Sequence, residues 1–91
     1  MPDIGGWEQS PERMKLPRGV SGDGLIRVLI GLGYVVMRQK GSHVGLRHEG
    51  PPVHMITVPR HNSLKTGTLH GILLEVAQVR SITVESLAKL L

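Results

Sequence analysis

The 91-residue chain contains no cysteine and no phenylalanine, and its only aromatic side chains besides histidine are Trp7 and Tyr34. Without cysteine it forms no disulfide, no thiolate nucleophile and no cysteine-based zinc site. That composition suits a reducing compartment, and we predict a cytoplasmic protein. No apolar run approaches the roughly 20 residues that span a bilayer, and the first residues lack the apolar stretch of a signal peptide. We therefore expect no membrane partner, and a core built from aliphatic side chains.

The positive charge of the chain is unevenly distributed. The formal net charge is +4, but residues 1–13 set three carboxylates against Arg13 and sum to −2, which leaves +6 on residues 14–91. Proline and glycine interrupt residues 1–13 without periodicity, so we interpret them as a flexible N-terminal extension and residues 14–91 as one domain. A basic domain attracts polyanions, and nucleic acid is the first partner to consider. A merely soluble basic surface explains the charge equally well.

The apolar residues follow periods that predict the order α-β-β-β-α-α, a fold of the α+β class. Ser21 is the expected N-cap of the first helix, Thr66 or its neighbour is expected to cap the second helix, and Thr83 caps a short final helix. Short turns separate the strands, so we expect an antiparallel three-stranded sheet with the helices on one face. The predicted bounds are about 22–32 for the first helix and 34–39, 42–48 and 53–58 for the strands.

The second predicted strand alternates between apolar and polar or small residues, and this alternation assigns its faces. Val44 and Leu46 should face the helices, which places His43, Gly45 and Arg47 on the open face. A slip of one residue would bury the arginine, which is costly. The open face is therefore predicted to present one imidazole beside a glycine and several cations.

These residue types suit a bound phosphodiester. A histidine that titrates near neutrality can remove the proton of a ribose 2′-hydroxyl, and nearby cations can stabilise the charge that develops on phosphorus. His43 is the candidate catalytic residue, with no metal ion and no cofactor expected. For a lone histidine, an exposed strand position without a role is the commoner case. The candidate RNA-binding residues are Arg38, Lys40, Ser42, Arg47, His61 and Lys65.

The remaining histidines are weaker candidates for a functional role. By strand alternation, His48 and His54 should point to the same side of the sheet as the apolar residues of their strands, so both are expected at the rim of the core. His70 is expected in solvent. His61 lies in a loop, where it can reach RNA or merely face water. Lys65 precedes a helix start whose backbone N–H groups can hold a phosphate, although an ordinary helix start is the slightly better interpretation. No pair has the helical spacing of a zinc site, so metal binding is disfavoured.

Short motifs in a fixed order give residues 15–91 a resemblance to the HicA toxin family of toxin–antitoxin systems. This resemblance implies a double-stranded-RNA-binding-like fold, ribonuclease activity on mRNA that arrests translation and growth, and a catalytic role for His43. It also implies a HicB-type antitoxin that covers the active face in a hetero-oligomer. The N-terminal extension and Gly45 depart from the family pattern. The matching stretches are Lys15-Leu16-Pro17, Leu32-Gly33-Tyr34, Gln39-Lys40-Gly41-Ser42-His43, Thr57-Val58-Pro59-Arg60-His61, Leu64-Lys65-Thr66-Gly67-Thr68-Leu69 and Ile72-Leu73.

Two other functions compete with an mRNA-cleaving toxin. A non-catalytic RNA-binding module of the double-stranded-RNA-binding type would bind RNA without shortening it, although the lysine-rich helix start common in such domains is reduced here to Lys65. A domain that survives only to bind an antitoxin is the other possibility. The intact Gly41-Ser42-His43 run argues against that loss of function.

Overall fold

The structure is a computed structural model that describes residues 16–91. The extension predicted at residues 1–13 lies outside the described residues. The element order and the α+β class predicted from the sequence are confirmed, and the predicted bounds of the first helix and the strands differ by at most one residue. The elements are α1 (Gly22–Gly31), β1 (Val35–Lys40), β2 (His43–His48), β3 (His54–Pro59), α2 (Thr66–Arg80) and α3 (Val84–Ala88).

The three strands form one antiparallel sheet in the order β1-β2-β3. The register pairs His43 of β2 with Lys40 on one side and Pro59 on the other. The pairing of β1 with β2 shifts by one residue between Val36 and Arg38, which marks a β-bulge. Because the shift reverses the alternation of β1, it decides which side chains of that strand share the face of His43.

The helices cover the face of the sheet that carries Val44 and Leu46, which are 3% and 1% exposed. These aliphatic side chains and the single buried tyrosine form one continuous core, as the near-absence of aromatic residues predicted. No helix within residues 16–91 is long and apolar enough to cross a membrane. The core residues are Leu25, Ile26, Leu29, Tyr34, Val44, Leu46, Ile56, Val58, Leu64, Leu69, Ile72, Leu73, Val76, Ala77, Val84 and Leu87.

Helix α1 begins where the sequence predicted. The Ser21 hydroxyl accepts a hydrogen bond from the Gly24 backbone N–H at 2.9 Å, which satisfies one of the unpaired donors of the first turn. Gly22 lies against the loop after β3, because its own N–H donates to the His61 carbonyl at 2.9 Å. A Cβ at position 22 would overlap the Pro59 carbonyl group. The absence of a side chain at Gly22 therefore sets the contact between α1 and this loop.

One expectation about α2 is wrong. His70 was expected in solvent, but it is only 9% exposed, and its Nε2 atom has no hydrogen-bond partner among the described residues. The reason is its helical position, since His70 precedes Leu73 by three residues and Ala77 by seven, and so lies on the edge of the same buried stripe.

Candidate functional site

His43 stands at the beginning of β2 on the face of the sheet opposite the helices. Its side chain is exposed, whereas the adjacent Val44 is buried, as the alternation predicted. No hydrogen bond among residues 16–91 involves the His43 imidazole. Both ring nitrogens are therefore open to a ligand, as a group that exchanges protons with a substrate requires.

The β-bulge in β1 brings two cations onto the face of His43. The register places Lys40 opposite His43 and Arg38 opposite Gly45, while Val35 lies opposite Arg47 on the same face. Strict alternation from Val35 would instead have turned both cations toward the core side. The bulge is the feature that sequence reasoning missed, and no glycine or proline within β1 signals it.

Gly45 provides the space in which Arg38 lies. A Cβ at position 45 would be 3.3 Å from Cγ and 3.7 Å from Cδ of the arginine side chain. We call the side of the sheet that carries His43, Gly45 and Arg47 the outer face. The aliphatic stem of Arg38 therefore crosses the outer face directly above the glycine backbone. This arrangement leaves a low, open surface in which a guanidinium and an ammonium accompany one imidazole.

Arg60 ties the loop after β3 to the hairpin and to α1. Its backbone N–H donates to the Ser42 carbonyl at 2.6 Å, and its guanidinium donates to both carboxylate oxygens of Asp23 at 2.7 and 3.2 Å and to Gln39 Oε1 at 3.3 Å. The hydrogen bonds from Arg60 lower the pKa of Asp23, and the carboxylate in turn raises the pKa of Arg60. Arg60 thus holds the loop in place, and the carboxylate of Asp23 balances its positive charge.

The other predicted contact residues divide into two groups. His61 and Lys65 are exposed on the loop that continues from Pro59, the β3 partner of His43, and no ion pair within residues 16–91 involves Lys65. Arg47 lies four residues along β2, about 13 Å from His43 at the usual strand rise, and its Nε donates to Glu49 at 2.9 Å. The structure therefore brings Arg38, Lys40 and Ser42 next to His43 and places Arg47 at the opposite end of the face.

Two histidines form a separate cluster at the rim of the core. The Tyr34 hydroxyl lies 2.6 Å from His54 Nδ1, and His54 Nε2 lies 2.7 Å from Glu75 Oε2, which links the residue before β1 to β3 and α2. His48 Nε2 lies 3.1 Å from the Leu32 carbonyl oxygen. Burial raises the pKa of the Tyr34 hydroxyl. These contacts agree with the rim positions predicted for His48 and His54 and assign both a structural role.

Metal chemistry finds no support from clustered ligands in the part of the chain that the structure describes. Residues 16–91 contain no group of three or more histidine, aspartate or glutamate side chains able to hold a metal ion. On the outer face the imidazole of His43 lies beside the cations of Arg38 and Lys40, and cations favour an anionic ligand.

Comparison with protein families identifies the chain. The sequence model of the HicA toxin of bacterial toxin–antitoxin systems matches residues 22–79. The chain belongs to the HicA toxin family. A search of curated proteins found no match. The family match extends from the first residue of α1 almost to the end of α2, so it contains His43 and every other candidate residue of the HicA site.

Proposed function

We propose that this HicA-family chain is the toxin of a type II toxin–antitoxin system and an endoribonuclease that cleaves mRNA, with His43 as general acid and base. The observation that carries the proposal is the outer face itself. An exposed imidazole lies opposite Lys40, and Arg38 lies across the neighbouring Gly45. Cleavage of messages would arrest translation and growth until an antitoxin neutralises the enzyme.

The chemistry uses a nucleophile that RNA itself carries. His43 takes the proton of a ribose 2′-hydroxyl, the 2′-oxygen attacks the adjacent phosphorus, and the bond from phosphorus to the 5′-oxygen breaks. The products are a 2′,3′-cyclic phosphate and a 5′-hydroxyl, whose proton comes from water, from the His43 imidazolium or from His61. A single positioned base accelerates such a step by roughly 10²–10⁴-fold. The route requires no cofactor.

The cations stabilise the charge that develops on the phosphate and bind the RNA backbone. The ammonium of Lys40 is the cation paired across the hairpin from His43, so it is the group assigned to the charge that grows on the phosphate oxygens. Arg38 and Ser42 hold the neighbouring phosphate–ribose units, and His61 and Lys65 extend the track along the loop beyond Pro59. Arg47, which is ion-paired with Glu49, contributes at the far end of a longer RNA.

The proposed partner is a HicB-type antitoxin that covers the outer face and forms a hetero-oligomer with this chain. The toxin–antitoxin family supports a protein partner, and an open catalytic face can be blocked by covering it. A covering antitoxin would exclude RNA and would itself have to compensate the positive charges of Arg38 and Lys40.

The test uses two RNA oligonucleotides of one sequence, one all-ribose and one with 2′-deoxyribose at the mapped cleavage site, both in EDTA. We expect the purified protein to cut only the first and to leave 2′,3′-cyclic phosphate ends. Cutting of the deoxy-substituted strand at the same position would contradict a 2′-hydroxyl nucleophile. If both strands are retained on a filter but neither is shortened over hours, the chain is an RNA-binding module instead.

A further inference from the structure

The outer face has a second, apolar end at the opposite side from His43. Val35, Arg47 and Met55 form one row across the three strands. Val35 is 59% exposed and Met55 is 65% exposed, and two residues away along the chain Met37 is 61% and Val53 is 53% exposed. We call Val35, Met37, Val53 and Met55 the apolar end of the outer face.

This clustering is unusual for the surface of so small a domain. Seven large apolar side chains within residues 16–91 are exposed, and the four named above lie on β1, on β3 or just before β3; Val36 of β1 is also exposed but pairs with the buried Leu46 on the opposite face. Scattered exposed apolar residues need no explanation, but a contiguous group marks a surface that a protein partner covers. Two of the four residues are methionines, whose flexible side chains adapt to a partner.

The chemistry of the apolar end selects among possible occupants. Valine and methionine offer no hydrogen-bond donors to phosphates and no aromatic face on which bases stack, so RNA gains little there. A second copy of this chain would bring its own Arg38, Lys40 and Arg47 against the same cations. A partner with aliphatic side chains and carboxylates fits both halves of the face.

The free edge of β1 also limits how a partner binds. Within residues 16–91, β1 and β3 each pair only with β2, so both edges of the sheet are open, and the bulge between Val36 and Arg38 interrupts the regular ladder at the β1 edge. Such interruptions disfavour the addition of another strand. A partner is therefore expected to lie on the outer face rather than to extend the sheet at β1.

We propose that the apolar end anchors an acidic antitoxin, which reaches from this anchor over the cations around His43. This inference rests on the proposed function, because it assigns the partner of the same face. The row of Val35 and Met55 within this anchor lies about 13 Å from His43, the rise of four strand residues. Antitoxin binding and RNA cleavage should consequently be separable by substitution.

The experiment measures binding of the protein encoded by the reading frame adjacent to this chain's gene. The full chain with His43→Ala is used, so that cells tolerate its expression. Val35→Ser with Met55→Ser should raise the Kd by about 30-fold or more, as loss of interface anchors does. The matched control, Ile30→Ser with Leu90→Ser, removes two exposed apolar residues away from this face and should change the Kd less than about threefold.

Charged substitutions at Met55 provide a second binding measurement. Met55→Glu and Met55→Lys both remove the apolar group, but an acidic partner predicts that the glutamate variant binds more weakly. Equal losses in both double-serine variants, no loss in either, no binding of the adjacent-frame protein, or weaker binding by Met55→Lys would overturn the proposal. So would a homodimer in sedimentation that Val35→Ser with Met55→Ser dissociates, because the occupant would then be a second copy.

RNA cleavage assays test the proposed function separately from antitoxin binding. With His43 retained, the Val35→Ser and Met55→Ser variant should cut RNA at the wild-type rate. If the wild-type chain does not cut RNA while the binding results hold, the ribonuclease assignment fails and the anchor stands. If cleavage holds but the anchor substitutions leave binding unchanged, the anchor fails alone.

Discussion

Gly22 is the residue at which α1 touches the loop that carries Arg60 and His61. A Cβ there would overlap the Pro59 carbonyl group and lie 2.8 Å from Arg60 Cα, and both obstacles are backbone. We predict that Gly22→Ala lowers the free energy of unfolding by about 2 kcal/mol, the scale of overpacking a tight contact. Urea denaturation followed by circular dichroism measures the change.

Gly71 provides the matched control, because a Cβ at that position in α2 meets nothing within 4 Å. Gly71→Ala should raise the free energy of unfolding by up to about 1 kcal/mol, the difference in helix propensity. A Gly22→Ala protein as stable as Gly71→Ala would show that α1 can move away from the loop without cost, and the close contact would then not fix the site.

At the scale of single elements, the capping of α1 is a direct test of local sequence information. Ser21→Ala removes the acceptor of the Gly24 N–H and should cost about 1 kcal/mol of stability. Ser21→Asp keeps an acceptor and should cost little. Thermal melts of the three proteins measure this, and equal melting temperatures for wild type and Ser21→Ala would contradict a working cap.

The chain of contacts from Tyr34 through His54 to Glu75 makes a pH-dependent prediction. Burial raises the pKa of Tyr34, so the folded protein favours the protonated phenol. Its contribution to stability is therefore fully present below the unfolded value of about 10 and is lost as the pH rises above it. Between pH 9 and about pH 11, wild type should lose more unfolding free energy than Tyr34→Phe does.

At neutral pH, Tyr34→Phe should lower the free energy of unfolding by about 1 kcal/mol, because His54 Nδ1 loses its hydrogen bond to the phenol. Denaturant titrations at three pH values provide both numbers. If the two proteins respond in parallel to alkaline pH, the phenol is not desolvated as described.

Element order, strand faces and caps were predictable because each depends on neighbours in sequence. Val44 and Leu46 flank Gly45, and Val44 directly follows His43, so alternation alone assigns their faces. The bulge in β1 depends on how that strand pairs with β2, and nothing local in β1 encodes it. His70 was misplaced for a related reason, since the width of a buried stripe depends on what packs against the helix.

At the scale of the whole molecule, the arrangement of charge predicts how RNA binding responds to salt. Each phosphate contact by a cation releases counterions, so the logarithm of the binding constant falls linearly with the logarithm of salt concentration. Lys40→Ala should reduce the magnitude of that slope by roughly 1. Lys89→Ala, at the end of α3, should leave the slope unchanged. Filter binding to one RNA at several salt concentrations, with His43→Ala as background, measures it, and equal slopes for all three proteins would remove Lys40 from the interface.

We propose that the imidazole of His43 performs the chemistry on an open cationic face. The most direct measurement is the single-turnover rate of RNA cleavage by wild type, His43→Ala and Met55→Ala, each shown by circular dichroism to be folded. We predict that His43→Ala is slower by at least about 10²-fold and that Met55→Ala cuts at the wild-type rate. A folded His43→Ala protein that cuts RNA as fast as wild type would contradict the claim.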